Sequence, residues 1–338
     1  YFVPDRVRHG YGLTAAIVDL LAARPNPPQV ILTVDNGISS ADAVRHAATL
    51  GIDVVITDHH LPADDTPPAV AIVNPNQRGC GFPSKSLAGV GVIFYVLLAL
   101  RARLRDEGAF TAQTQPRLNE LVDLVALGTV AAVVKLDQNN RILVSQGLKR
   151  IREGRTHPGI AALFNVARCS MGNASARDFG FRIGPRINAA GRLGKTAVAA
   201  LLLLTNDDGE ADRSAAGLCQ LNRERQALEQ QIWEEASAIA CRYPPRMPLV
   251  LASDSWHQGV IGIAASRLSE EFHLPTIMIC CDGERGKGSC RSFGGFNLYN
   301  ALSACSEYLE GFGGHALAAG LTIRRENIDR FRRALGEY

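Results

Sequence analysis

Two short β-favouring runs separated by one helical stretch constrain this chain more than any other feature. Gln29 to Val34 reads QVILTV, and Asp53 to Thr57 reads DVVIT. Between them, Ser39 or Ser40 can cap a helix running to Leu50, where Gly51 stops it. Strand, helix and strand in that order form a βαβ unit, so the fold class is α/β with a parallel sheet. Gln29 to Val34 reads as a buried strand. Ala69 to Val73 reads as a further strand, ended by Asn74-Pro75.

Helices are expected from Leu87 to about Arg105 and from Leu118 to about Leu127. The most apolar run, Leu87 to Leu100, is too short to span a bilayer, so no membrane association is expected. From about Ala211 to Cys241, Leu218, Leu221, Leu228 and Ile232 recur at helical spacing amid charged residues. That pattern predicts a long amphipathic helix, ended by Tyr243-Pro244-Pro245. A second α/β segment follows: a strand over Pro248–Ala252, a helix from about Val260 to Glu271, a strand over Thr276–Cys280, and a Gly-rich stretch. The expected layout is a larger domain over residues 1–210, a connecting helix over 211–243 and a smaller domain over 244–338, in a monomer. The eight cysteines form no CxxC pair, and several lie in apolar runs. This usage predicts free thiols in a reducing cytoplasm, without a disulfide framework. The chain opens at Tyr1 with neither an initiator methionine nor a signal peptide, and is expected to be a fragment of something longer.

The chemistry is concentrated where the first strands end. Asp35 follows the first, in Asp35-Asn36-Gly37, and Asp58-His59-His60 follow the second. In open parallel sheets, polar ligands gather just beyond the carboxyl ends of neighbouring strands. Carboxylate with imidazole suits Mn²⁺ or Mg²⁺ better than a thiolate-seeking metal. Two such ions would activate water and neutralise a phosphoryl transition state. The plainer reading is a hydrogen-bonded turn, with Asp58 capping its own backbone. Net charge is only +3, so a polyanion must be met by local clusters. Arg182, Arg186 and Arg192 flank Gly184, Pro185, Asn188 and Gly191, an arrangement of forks and close-approach positions suited to phosphate. As residues alone, a solvated basic loop is the favoured reading, since surface arginines are common. Lys287, Ser289, Arg291 and Ser292 repeat the chemistry. His315 after Gly313-Gly314 is placed to approach a ligand, whereas His9, His46, His157 and His273 read as surface residues. His257 reads as a helix-entry residue.

At these residues the chain resembles a known family. TVDNGISS and TDHHLP are similar to signature motifs of the DHH phosphoesterases. FPSKSLAGVGV, ALGTVA, GPRINAAGRL, WHQGVIGI and GFGGHALAAGL resemble segments of the RecJ single-strand-specific exonucleases, and the likeness extends over nearly the whole chain. The resemblance implies a DHH domain, a connecting helix and a DHHA1 domain closing over a cleft. It implies a Mn²⁺- or Mg²⁺-dependent 5′→3′ exonuclease that degrades single-stranded DNA to mononucleotides in repair and recombination. Single-strand-binding protein and a helicase are the partners it implies. Residue by residue, it assigns Asp35 and His59 as metal ligands, Asp58 as the group orienting the His59 ring, and His60 as facing the substrate phosphate. It places Arg186, Asn188, Arg192, Ser289, Arg291, Ser292, Gly313, Gly314 and His315 on the nucleic acid.

Three departures qualify that pattern. The family's first motif, DxDxDG, has no match between Tyr1 and Tyr338. Ala132 stands where the fourth motif has a ligand aspartate, with Lys135 where proline is usual and Asp137 out of register. Cys290 stands where the family has glycine. The first two predict impaired activity and at most one bound ion. Two other readings fit part of the pattern: a non-catalytic single-stranded-DNA-binding relative, and a phosphodiesterase acting on small nucleotides or oligoribonucleotides.

Overall fold

The computed structural model describes residues 1–4, 9–10, 12–63, 65–243 and 247–338. Pro244 and Pro245, expected to end the long helix, lie outside the described residues. The chain divides into two compact units, Tyr1–Gln220 and Leu221–Tyr338.

In the first unit, α1 (Ala15–Ala22) is followed by β1 (Val30–Val34), α2 (Ala41–Thr49), β2 (Asp53–Thr57) and β3 (Ala71–Val73). The strands form a parallel sheet in the order β1-β2-β3, with Val34 opposite Thr57 and Thr57 opposite Val73. Ser40 stands at the N-cap of α2, but its side chain makes no capping hydrogen bond. Ile17, Val18, Leu21, Ile31, Val44 and Ile56 meet in the core on one face. The reading of β1 as a buried strand is corrected here: Val30, Leu32 and Val34 are exposed and only the alternate residues are buried. Among the described residues β1 pairs with β2 alone, so it is an edge strand.

Helices complete this unit: α3 (Gly89–Asp106), α4 (Val122–Ala131), α5 (Gln138–Arg152), α6 (Pro158–Val166), α7 (Gly184–Arg192) and α8 (Thr196–Leu204). Asp123, fully buried in the first turn of α4, anchors the start of α6. It accepts from the Thr156 hydroxyl at 2.7 Å and the His157 backbone N–H at 2.9 Å, and His157 Nδ1 lies 2.9 Å from both of its oxygens. His157 is therefore a half-buried structural partner, not a surface residue. Burial alone would raise the Asp123 pKa; the bonds from His157 and Thr156 outweigh it and hold the carboxyl below its usual range. Asp123→Ala is expected to cost about 3 kcal/mol or more, since it strands the part-buried donors of Leu124, Thr156 and His157. Because the folded pKa lies below the unfolded one, near 3.9, this contribution is complete above that pH. It is lost as pH falls through the folded value. Urea midpoints of wild type and variant should differ widely at neutral pH and converge in acid; equal midpoints at neutral pH would remove the pair from the stabilising contacts.

The long helix α9 (Asp208–Ala240) contains the boundary between the units. Beyond it come β4 (Leu249–Ser253), α10 (Ile261–Phe272), β5 (Thr276–Asp282), β6 (Arg285–Arg291), α11 (Leu298–Ala304), β7 (Leu309–Gly314), β8 (Ala318–Arg324) and α12 (Ile328–Glu337). The sheet order is β4-β5-β6-β8-β7, parallel between β4 and β5 and antiparallel elsewhere. Side-chain alternation along β4 and β5 serves two cores. Leu249, Leu251 and Met278 pack with α10 and with Ile232 and Ala236 of α9. Val250, Ile277 and Ile279 pack with α11 and with Phe331 of α12. A sheet covered on both faces needs apolar residues at successive positions, which is why these strands read as continuous apolar runs.

Candidate metal centre

The parallel register sets two polar loops side by side. The Asp35 backbone N–H bonds Thr57 O at 3.0 Å, and that of Asp58 bonds Val73 O at 3.1 Å, so both acids leave the sheet at the same end. Asp35 has φ +67°, a left-handed conformation that aspartate adopts more readily than most residues. Ligand atoms of Asp35, His59 and His60 all lie within 4.8 Å of one another. His59 Nε2 is 3.0 Å from Asp35 Oδ1.

Asp58 is buried, and its carboxylate organises the loop. Its Oδ2 accepts from Ile38 N at 3.0 Å; its Oδ1 accepts from His59 N at 2.7 Å and His60 N at 3.2 Å, and sits 2.7 Å from His60 Nδ1. The sequence assignment is corrected at this point, because Asp58 orients the His60 ring and not that of His59. A carboxylate holding one ring nitrogen leaves the other, Nε2, as the metal-capable atom, the usual arrangement of a ligand histidine. Burial alone would raise the Asp58 pKa, but the His60 ring and the three backbone donors bring it below the ordinary value. The bond from Asp58 raises the His60 pKa, and burial opposes this only in part.

Two further groups hold the cluster, and the sequence reading missed their roles. Asn74 Nδ2 donates to His60 O at 2.9 Å and Asn76 Nδ2 to His59 O at 2.6 Å, while Asn76 N bonds Asn74 Oδ1 at 2.8 Å. The asparagines after β3 thus clamp both histidine carbonyls. At Gly89, the first residue of α3, an added Cβ would lie 2.3 Å from Asp35 Oδ1. Only glycine lets the carboxylate lie against the start of that helix. The signal in the sequence was the glycine pair of LAGVGV, without anything to say which side chain needed the space.

Asp35 opens onto a cavity of about 540 Å³ whose wall includes Asn36, Ile187, Asn188, Gly191 and Arg192. The GPRINAAGR segment is therefore helix α7 and not a loop, and it brings Asn188 and Arg192 to the cavity of Asp35. Arg186 is placed differently: it is not among the lining residues, and its Nη1 donates to the Arg182 carbonyl of its own chain segment. Ala132 caps the end of α4 and is exposed. Asp137 does not replace the missing carboxylate there, since it caps α5 through Asn140 N at 2.9 Å and accepts from Ser84 Oγ at 2.7 Å.

The second unit holds a separate polar group. Lys287, Gly288, Ser289, Gly313 and Gly320 line a cavity of about 440 Å³ over β6, β7 and β8. Arg291 is half-buried, its Nη1 3.2 Å from Ser289 Oγ and its Nε 3.0 Å from Ser266 Oγ. Burial lowers its pKa. At Gly262 of α10 an added Cβ would stand 2.9 Å from Ser289 Oγ and 3.2 Å from Arg291 Nη2, so glycine keeps these groups in place. Gly314 has φ +133° and lies too close to the Ala318 carbonyl for any side chain. One assignment is corrected. The Ser292 hydroxyl is spent on the Phe296 carbonyl, tying down the loop after β6. His315 sits exposed in the β7–β8 turn. Cys290 is fully buried, on the opposite side of β6 from Ser289 and Arg291, and burial pushes its thiol up to about 12.

Comparison with known proteins agrees with both halves. Residues 1–129 match the DHH family, N-terminal domain, and residues 247–338 match the DHHA1 domain. Single-stranded-DNA-specific exonuclease RecJ of Salmonella typhimurium and that of Escherichia coli are each 49% identical over the whole of this chain, which spans 60% of their length. A crystal structure of exonuclease RecJ bound to manganese superposes with a TM-score of 0.83 at 33% identity, covering 100% of this chain and 81% of that one. The chain belongs to the RecJ family of the DHH superfamily.

Proposed function

We propose that this chain carries the nuclease core of a divalent-cation-dependent exonuclease that degrades single-stranded DNA from a 5′ end. The observation that carries this reading is the cluster of Asp35, His59 and His60, with the His60 ring fixed by buried Asp58. Its donors, one carboxylate and two imidazoles, fit Mn²⁺, and Mg²⁺ less well. Relatives whose crystal structures hold Mn²⁺ or Mg²⁺ support the same ions. A bound cation would supply Lewis acidity and a water of lowered pKa. The chain's own residues do the rest. Asp58 holds the Nδ1 proton of His60, and Asn74 and Asn76 fix the loop from which both rings project. Asn188 and Arg192 offer an amide and a guanidinium in the cavity at Asp35, where a phosphodiester can be oriented. In the second unit, Ser289 and Arg291 supply a hydroxyl and a cation, the chemistry of a phosphate seat.

Among the described residues the three donors suit a single ion, and the Ala132 methyl adds none. We infer one cation per chain and slow turnover. The test is degradation of 5′-phosphorylated single-stranded DNA in Mn²⁺, against the same strand in EDTA and a blunt duplex. Mononucleotides released from the single strand in Mn²⁺ alone are expected. Binding without cutting would favour a non-catalytic DNA-binding role, and cleavage confined to short oligoribonucleotides would favour a small-substrate phosphodiesterase.

A further inference from the structure

Phe181 is the one phenylalanine among the described residues that is exposed, at 78% of its full accessible surface. It lies in a π-helical turn, Phe179–Ile183, which runs directly into α7. The turn closes through a bond from Gly184 N to Phe179 O, one residue longer than the α-helical reach. Such a turn inserts an extra residue into a helix and is found mostly at functional sites. Its neighbours Phe179 and Ile183 are fully buried, so the turn is anchored on one side while Phe181 points to solvent. Between residues 168 and 195 the sequence carries Arg168, Arg177, Arg182, Arg186, Arg192 and Lys195 against the single acid Asp178. A projecting aromatic ring in so basic a segment is unsuited to an apolar protein partner and suited to a base stacked on a tethered polyanion.

We propose that Phe181 is a base-stacking platform for single-stranded nucleic acid on its way to the cavity at Asp35. This rests on the nucleic-acid reading above and adds a residue to it. Seven residues along the same helical rod separate Phe181 from cavity-lining Asn188, roughly 10 Å at the α-helical rise. At about 3.4 Å per stacked nucleotide, the ring would meet a base some three nucleotides from the one in the cavity.

The test is binding of a 5′-phosphorylated oligothymidylate in EDTA at low salt, followed by anisotropy, so that no step depends on catalysis. A lost stack is worth about 1–3 kcal/mol, so Phe181→Ala is expected to weaken binding roughly 5- to 150-fold. Phe181→Tyr should bind like wild type, and Phe181→Leu, apolar but unable to stack, should resemble the alanine variant. A single abasic site moved along the strand should weaken wild type at one or two adjacent positions and leave Phe181→Ala unaffected. Equal affinities for wild type and Phe181→Ala, or an abasic penalty identical in both, would overturn the platform while leaving the nucleic-acid reading intact. No binding by wild type would overturn both. Because the side chain is exposed, thermal melting should not distinguish the variants, so a fall in melting temperature with unchanged affinity also counts against the proposal.

Discussion

Asp35→Asn is expected to lower Mn²⁺ affinity by more than about 100-fold and to remove Mn²⁺-dependent cleavage. Loss of an outer-shell partner costs about 10- to 100-fold in metal affinity, and loss of a direct ligand should exceed that. Asparagine is the informative substitution because it tolerates the left-handed backbone at this position, φ +67°. Alanine would confound ligand loss with backbone strain. The amide keeps the shape and a neutral oxygen but removes the charge that a hard cation needs. Folding should be unaffected, since the side chain is half exposed and its neighbour Gly89 already leaves it room. Calorimetry with Mn²⁺ together with a melting curve checks this. Wild-type affinity in the variant would remove Asp35 from the site.

Arg291→Ala should weaken binding of single-stranded DNA by roughly 10- to 100-fold, the range of a charge-assisted, half-buried phosphate bond. Arg291→Lys keeps the charge but not the fork that reaches Ser266 and Ser289, so it should recover only part of the loss. The salt dependence of binding should become shallower in the alanine variant by about one phosphate contact and stay unchanged in the lysine variant. Titrations across a range of salt concentrations read both quantities. An alanine variant with the wild-type salt slope would place Arg291 off the phosphate path.

Much of the candidate site's geometry was legible because a strand that ends in Asp-His-His beside one that ends in Asp-Asn-Gly leaves few arrangements open. The parallel register then puts Asp35 and Asp58 at one end of the sheet. Which histidine Asp58 would hold was not legible. That depends on the path of two residues after β2, set by the bonds of Asn74 and Asn76 from a strand end further along the chain. The status of β1 could not be read either, since an apolar run is the same whether its outer face is covered or bare. GPRINAAGR reads as a loop by its two glycines and its proline. In the structure Pro185 occupies the first turn of α7, where its missing N–H costs nothing. The glycine-rich strands β6 and β7 were hidden for a similar reason: residues of low β-propensity pair there because the antiparallel ladder with β8 holds them.

The measurement that bears most directly on the central claim is calorimetric titration of Mn²⁺ into the wild-type chain and into His60→Ala. The account predicts one ion per wild-type chain, and its loss in the variant, because Asp58 presents the His60 ring to the same point as Asp35 and His59. Wild-type stoichiometry and affinity in His60→Ala, or no binding by the wild-type chain, would contradict it.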